Sequence, residues 1–168
     1  MTNESVKIGH QGEILVKSGT VTPGYLNNPK ANQETFDDEG FFKTGDCGYF
    51  DNSGKLFIVD RYKEIIKSEG CVVCPAEIES ILRSHPSVLD AVVFGVSHPT
   101  FTEVPVALVV KKDGCLVSES ELMDHVNCQV ASWKQLRGGV KFLDQLPLLP
   151  FGKVDRKQLK QGLRSQFA

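Results

Sequence analysis

The chain has 168 residues, 40% hydrophobic and 24% charged, with 19 Lys plus Arg against 21 Asp plus Glu and a formal net charge of -2. That length suits one ordinary domain with an appended piece. Its composition argues against a transmembrane segment, because no apolar run is long enough, and against nucleic acid as a partner, because no basic stripe is present.

In chain order, Gly12 to Val16 alternates as a half-buried strand should, and Pro23-Gly24 and Asn27-Asn28-Pro29 mark turns in a loop-rich region. Thr44 to Phe50 and Lys55 to Arg61 read as a hairpin around Asp51-Asn52-Ser53-Gly54, with Gly54 in the left-handed conformation. Its register would set Asp46 opposite either Val59 or Asp60, within one step of Arg61. Glu64 to Lys67 and Cys71 to Val73 are short strand candidates. Pro75 opens a helix carrying Ile78, Ile81 and Leu82 on one face, which His85-Pro86 ends.

Val88 to Val96 and Val104 to Val110, rich in β-branched residues, predict a buried strand pair. Ser118, Ser120 and Glu121 signal a helix running to Val130, and Gly138-Gly139 precedes a strand from Val140 to Leu143. Pro147 to Gly152 is a loop. Asp155 then caps a last helix on which Leu159 and Leu163 share a face.

Met1 to His10 lacks the apolar core of a secretory signal, so the expected location is intracellular, where the odd set Cys47, Cys71, Cys74, Cys115 and Cys128 stays reduced. Cys71 and Cys74 form a C-x-x-C with no second ligand pair among His10, His85, His98 and His125, so no metal site is expected.

Three stretches carry chemistry: Lys43-Thr44-Gly45-Asp46, Asp60-Arg61-Tyr62-Lys63-Glu64-Ile65-Ile66-Lys67, and Gly152-Lys153-Val154-Asp155-Arg156. Each has a plainer alternative: a solvated carboxylate, a surface ion pair, a loop lysine facing water. The functional alternative gives Asp46 the two hydroxyls of a ribose, since one carboxylate offers acceptors to both. Asp60-Arg61 stands where the composition changes, a place for a hinge. Lys63 and Lys67, four apart on one expected strand, would share a face toward a phosphorylated ligand. Lys153 on a mobile loop could meet a developing phosphate charge.

Gly12-Glu13-Ile14-Leu15-Val16, Gly24-Tyr25-Leu26-Asn27-Asn28-Pro29, Phe42-Lys43-Thr44-Gly45-Asp46, Ile58-Val59-Asp60-Arg61, Pro75-Ala76-Glu77-Ile78-Glu79 and Gly152-Lys153 together resemble the C-terminal portion of the adenylate-forming superfamily. That superfamily includes acyl-CoA synthetases, 4-coumarate:CoA ligases, peptide-synthetase adenylation domains and beetle luciferases. Leu136-Arg137-Gly138-Gly139-Val140 leans toward the luciferase-like branch.

The resemblance implies an α+β fold: residues 1–60 as the β-rich remnant of a large adenylate-binding domain, and 61–168 as a small C-terminal lid domain. It implies ATP-dependent activation of a carboxylic acid to an acyl-adenylate, with Mg2+ accompanying ATP, and then displacement of AMP by the CoA thiol. By position, Asp46 would hold the ribose, Arg61 would assist, and Asp60 would sit at the hinge. Lys153 would neutralise charge during adenylation, Lys63 and Lys67 would face the nucleotide or the thiol-transfer site, and Gly70 would line the CoA passage. Glu69 stands where many relatives carry lysine, so weaker CoA binding is expected.

The family's glycine-rich phosphate loop and acyl pocket are not found in these residues. The isolated chain is therefore expected to lack full activity, the alternatives being a non-catalytic AMP-binding module, one that docks on a full-length relative, or a luciferase-like monooxygenase fragment. The cytosol is the expected compartment, with the peroxisome open by kinship although Gln166-Phe167-Ala168 is no Ser-Lys-Leu ending.

Overall fold

The computed structural model describes residues 5–164, with side chains through 162, so the terminal Gln166-Phe167-Ala168 lies outside the described residues. The chain divides into two compact units, residues 1–63 and 64–168.

The first unit is a three-stranded antiparallel sheet in the order β1-β2-β3, built from β1 (Gly12–Val16), β2 (Phe42–Phe50) and β3 (Leu56–Arg61). Asp51 organises the β2–β3 loop: its Oδ1 accepts from the Ser53 and Lys55 amides and the Ser53 hydroxyl at 2.8 to 2.9 Å, and Gly54 takes φ +78°. The stretch expected to be loop contains α1 (Pro29–Thr35), capped by the Asn28 side chain accepting from the Ala31 amide at 3.1 Å. This helix buries no residue, so it lacks the apolar stripe that would reveal it in a sequence. Asn32 instead anchors it, donating to the Tyr25 carbonyl and accepting from the Tyr25 amide.

The second unit is built on a sheet of five strands: β4 (Ile66–Ser68), β5 (Cys71–Val73), β6 (Val88–His98), β7 (Thr102–Lys111) and β8 (Val140–Leu143). β6 pairs antiparallel along nearly all of β7; β4 meets β7 at Thr102, and β8 runs parallel to β7 from Ala107 to Val110. The helices are α2 (Pro75–Ser84), α3 (Glu119–Asn127) and α4 (Arg156–Arg164), with a short 3₁₀ turn at Ser132–Lys134.

Alternation along β6 and β7 builds two cores. Ala91, Val93, Ala107 and Val109 pack with Ile78 and Leu82 of α2 and Leu122 and Val126 of α3, while Val92, Phe94, Val106 and Leu108 pack with Leu159 of α4. A sheet covered on both faces needs apolar residues at odd and even positions alike, which explains the unbroken runs. Each buried Val, Leu or Phe side chain contributes about 1.5–3 kcal/mol. The fold is α+β, with Leu159 buried; the Leu163 side chain, expected on the same face, lies outside the described residues.

α3 stops at Asn127 instead of Val130, and the Asn127 side chain accepts from the Leu136 amide at 3.0 Å, holding the returning chain. β4 begins at Ile66, not Glu64, because residues 62–64 form a turn.

Candidate functional site

Asp46 and Arg61 of the first unit meet because of a bulge. Tyr49 faces Phe57 and Gly48 faces Ile58, but Cys47 faces Asp60 and Asp46 faces Arg61, leaving Val59 as the extra residue on β3. Were the pairing regular, with Cys47 opposite Val59, Asp46 would oppose Asp60, a like-charged pair. The expected partners Val59 and Asp60 are thus corrected to Arg61, whose Nε lies 3.1 Å from Asp46 Oδ1.

Backbone groups frame the pair. Arg61 Nη1 donates to the Thr44 carbonyl at 3.2 Å, the Asp46 amide donates to Thr44 Oγ1 at 3.0 Å, and that hydroxyl donates to the Ile14 carbonyl at 2.9 Å. Gly45, at φ +73°, sends its carbonyl to the Tyr62 amide at 2.7 Å, and a Cβ there would lie 3.6 Å from Arg61 Nη1. The pair is solvent-accessible, with side chains 31% and 65% exposed for Asp46 and Arg61, so it contributes under about 1 kcal/mol to stability. What it offers is an accessible carboxylate with a cation at its side. Beneath it, burial and then the nearby Asp60 push the Cys47 thiol pKa up, which keeps that group neutral.

Asp60 receives the amide of Arg61 on its own Oδ1 at 2.7 Å, at the end of β3. Lys63 follows in the turn and is exposed, whereas Lys67 lies within β4, so the shared strand face expected for these lysines does not exist. The turn at residues 62–64 breaks the alternation that a shared face requires. A broad concavity of about 860 Å³ lies elsewhere in the first unit, lined by residues such as Lys17, Asn32 and Asp38 and including neither Asp46 nor Arg61.

In the second unit, Lys67 projects from β4 while its amide donates to Glu103 Oε2 at 2.9 Å. Ser68 and Cys71 pair across a two-residue turn in which Glu69 and Gly70 both take positive φ, 53° and 74°. Glu69 is bound to Arg137 Nη1, and Arg137 stacks on Phe101 at 4.4 Å. The charge of Glu69 is thus countered by Arg137 within the same unit. Neither sequence spacing nor composition announces a pairing across 68 positions.

Lys153 is exposed on a tight hairpin closed by the Leu148–Val154 bridge. Its carbonyl accepts from the Leu149 amide at 2.7 Å, the Gly152 amide donates to the Leu149 carbonyl at 2.8 Å, and Gly152 takes φ +82°. Val154 packs into the core with Leu159, and Asp155 caps α4 by accepting from the Gln158 amide at 2.9 Å. The structure thus joins Asp46 to Arg61, puts Lys67 and Gly70 on one hairpin, and carries Lys153 on another.

Among the described residues, no group of three or more His, Cys, Asp or Glu side chains is placed to hold a metal ion. The five cysteines are free thiols.

Residues 77–153 match the AMP-binding enzyme C-terminal domain family. Over 99% of its length the chain is 45% identical to luciferin 4-monooxygenase from Luciola mingrelica, covering 30% of that protein. It is 47% identical over 95% of its length to the probable 4-coumarate–CoA ligase 2 of Dictyostelium discoideum, covering 29% of it. The solved structure of o-succinylbenzoate CoA synthetase from Bacillus subtilis, in complex with its acyl-adenylate intermediate, superposes with a TM-score of 0.83 at 39% identity, over 92% of this chain and 31% of that one. The chain spans about 30% of the length of the curated relatives it matches.

Proposed function

We propose that the chain, whose residues 77–153 match the AMP-binding enzyme C-terminal domain family, belongs to the adenylate-forming superfamily and is the C-terminal part of an ATP-dependent acid:CoA ligase. Such a ligase joins a carboxylic acid to AMP with release of pyrophosphate, then transfers the acyl group from AMP to the CoA thiol. The observation that carries the reading is the bulge that turns Asp46 toward Arg61, since it creates a half-buried but accessible carboxylate flanked by a cation at the end of a strand.

In this proposal Asp46 accepts hydrogen bonds from both ribose hydroxyls and Arg61 fixes its orientation. Asp60, next to the last residue of β3, is the hinge, and Lys63 and Lys67 supply positive charge in the segment that follows it. Lys153, offered from its hairpin, neutralises oxygens of the carboxylate and α-phosphate as the mixed anhydride forms, then departs. The Glu69-Gly70 turn lines the path of the CoA arm, with Arg137 offsetting the local negative charge. Mg2+ accompanies the ATP phosphates in this proposal.

The isolated chain, in this proposal, does not turn over by itself, because much of the preorganised charge needed for phosphoryl chemistry belongs to the rest of the enzyme. Grafting this chain in place of the matching segment of a 4-coumarate–CoA ligase tests both points. The hybrid is expected to support acid-dependent ATP–pyrophosphate exchange, Lys153→Ala to lower it by about 10²- to 10³-fold, and Asp46→Ala to raise the KM for ATP. A hybrid that is folded but inert refutes the reading.

A second reading, a docking module, draws on exposed apolar side chains of β3 and its surroundings, among them Ile58 at 68% and Phe50 at 52% exposed. Concentration-dependent self-association of the chain, with no response to AMP, favours it. A luciferase-like oxygenation, the third, draws on the 45% identity to the Luciola enzyme and is read by light emission from the hybrid with luciferin.

A further inference from the structure

Glu79 is an anomaly on α2: it lies on the buried face with Ile78 and Leu82 and is itself only 6% exposed. Its Oε1 accepts from the Val93 amide at 2.9 Å and binds Arg156 Nη2, and Arg83 Nη1 lies 3.8 Å from its Oε2. Arg156 opens α4, three positions after Lys153. Its guanidinium also donates to the Val93 carbonyl at 3.2 Å, lies 3.8 Å from Glu64 Oε2, and sits 5.4 Å from the centre of the Phe94 ring.

One side chain therefore ties the Lys153 hairpin to helix α2, to strand β6 and to Glu64, at the beginning of the second unit. Stability alone is a poor reason for such an arrangement. A buried ion pair typically does no better than apolar residues of the same size, and its best-attested use is to fix register. Val92, Phe94, Val106 and Leu159 show that an apolar packing was available here.

We propose that Arg156, clamped by Glu79 and Glu64, is a positioning residue that sets where Lys153 stands on the second unit. This rests on the adenylation role given to Lys153 above. The hairpin fixes the shape of the segment around Lys153 through its own hydrogen bonds, and among the described residues Leu146, Val154, Leu159 and Arg156 hold that shape against the sheet. Val154 and Leu159 make non-directional contacts that tolerate sliding, whereas the guanidinium meets a carboxylate and a carbonyl in a set geometry.

Amide hydrogen exchange on the 168-residue chain decides the clamp without any activity. Arg156→Met should speed exchange at Leu149, Gly152 and Asp155 by at least about tenfold, as local opening of the hairpin does. In Arg156→Met combined with Glu79→Gln, which leaves no unpaired buried charge and keeps an acceptor for the Val93 amide, Val106 and Leu108 of β7 should return to near wild-type protection while the hairpin amides stay fast. Equal acceleration at hairpin and β7 amides in the double variant, or unchanged hairpin amides, overturns the proposal.

In the grafted hybrid, the same double variant should lose about 100-fold in adenylation rate, the scale of a small misplacement of a reacting group, with the KM for ATP unchanged. Thioester formation from preformed acyl-adenylate should be unaffected, and Arg156→Lys should recover part of the loss. Equal loss in both half-reactions overturns the positioning role. An inert unsubstituted hybrid defeats the ligase reading instead, and leaves the exchange result to decide the clamp.

Discussion

Gly48→Ala tests the frame that holds Asp46 against Arg61. A Cβ at this position would lie 2.6 Å from the Phe57 carbonyl oxygen and 2.8 Å from Ile14 Cδ1, inside the 3.0 Å that real Cβ contacts essentially never breach. The Ile14 side chain can rotate aside, but the carbonyl belongs to β3 and moves only with its strand. Opening β2 from β3 by the missing 0.4 Å, the difference between 3.0 and 2.6 Å, strains the pairing next to the bulge. Overpacking of this kind costs about 1–3 kcal/mol.

With a urea slope near 1 kcal/mol per molar, the unfolding midpoint of the first unit should fall by about 1–3 M. The amide signals of Tyr49 and Leu56, followed by NMR through a urea titration, report that unit alone. Gly54→Ala is the control: nothing lies within 4 Å of its Cβ position, so only the φ of +78° is strained, for about 1 kcal/mol. A Gly48→Ala midpoint equal to or above that of Gly54→Ala refutes the steric argument.

In the second unit, Leu82→Ala should cost about 2–5 kcal/mol, since Leu82 is fully buried between sheet and helices, lowering the thermal midpoint by more than about 8 °C. Hydrogen bonds from the Lys55 amide, then from the Ser53 side chain, lower the Asp51 pKa from 3.8, so its contribution is present above that pH and lost as pH falls through the depressed value. An NMR titration of Asp51 should show the depression, and Ser53→Ala should lessen it. Cys47, its thiol held neutral by burial, should alkylate at pH 8 far more slowly than the exposed Cys128, as mass spectrometry of the modified peptides will show.

Elements whose residues form a visible pattern were legible from the sequence. The apolar runs of β6 and β7, the proline that opens α2, the Ser118 cap of α3 and the Asp155 cap of α4 all act within a few residues of themselves. α1 was not, because it buries nothing and its Asn-Asn-Pro start reads equally as a turn. The site was half legible. Asp46 and Arg61 stood out as residue types, yet their direct pairing depends on Val59 being surplus, which no alternation count reveals. Lys63 and Lys67 were misplaced because a strand was assumed through a turn. Glu79 and Arg156 each sat in a motif, but 77 positions separate them and only the folded sheet brings them together.

The parallel pairing of β8 with β7 also sets an order of assembly. β6 and β7 are joined by a three-residue loop and can zip together early, whereas β8 finds its place only after α3 and the turn beyond it have been threaded across the sheet. The segment bearing Lys153 follows β8, and its anchors, Phe94 and Val93, exist as a surface only once that hairpin has formed. On this order the hairpin that carries Lys153 settles last, so under the role proposed for Lys153 a chain that has gained only the sheet would still lack its reacting cation.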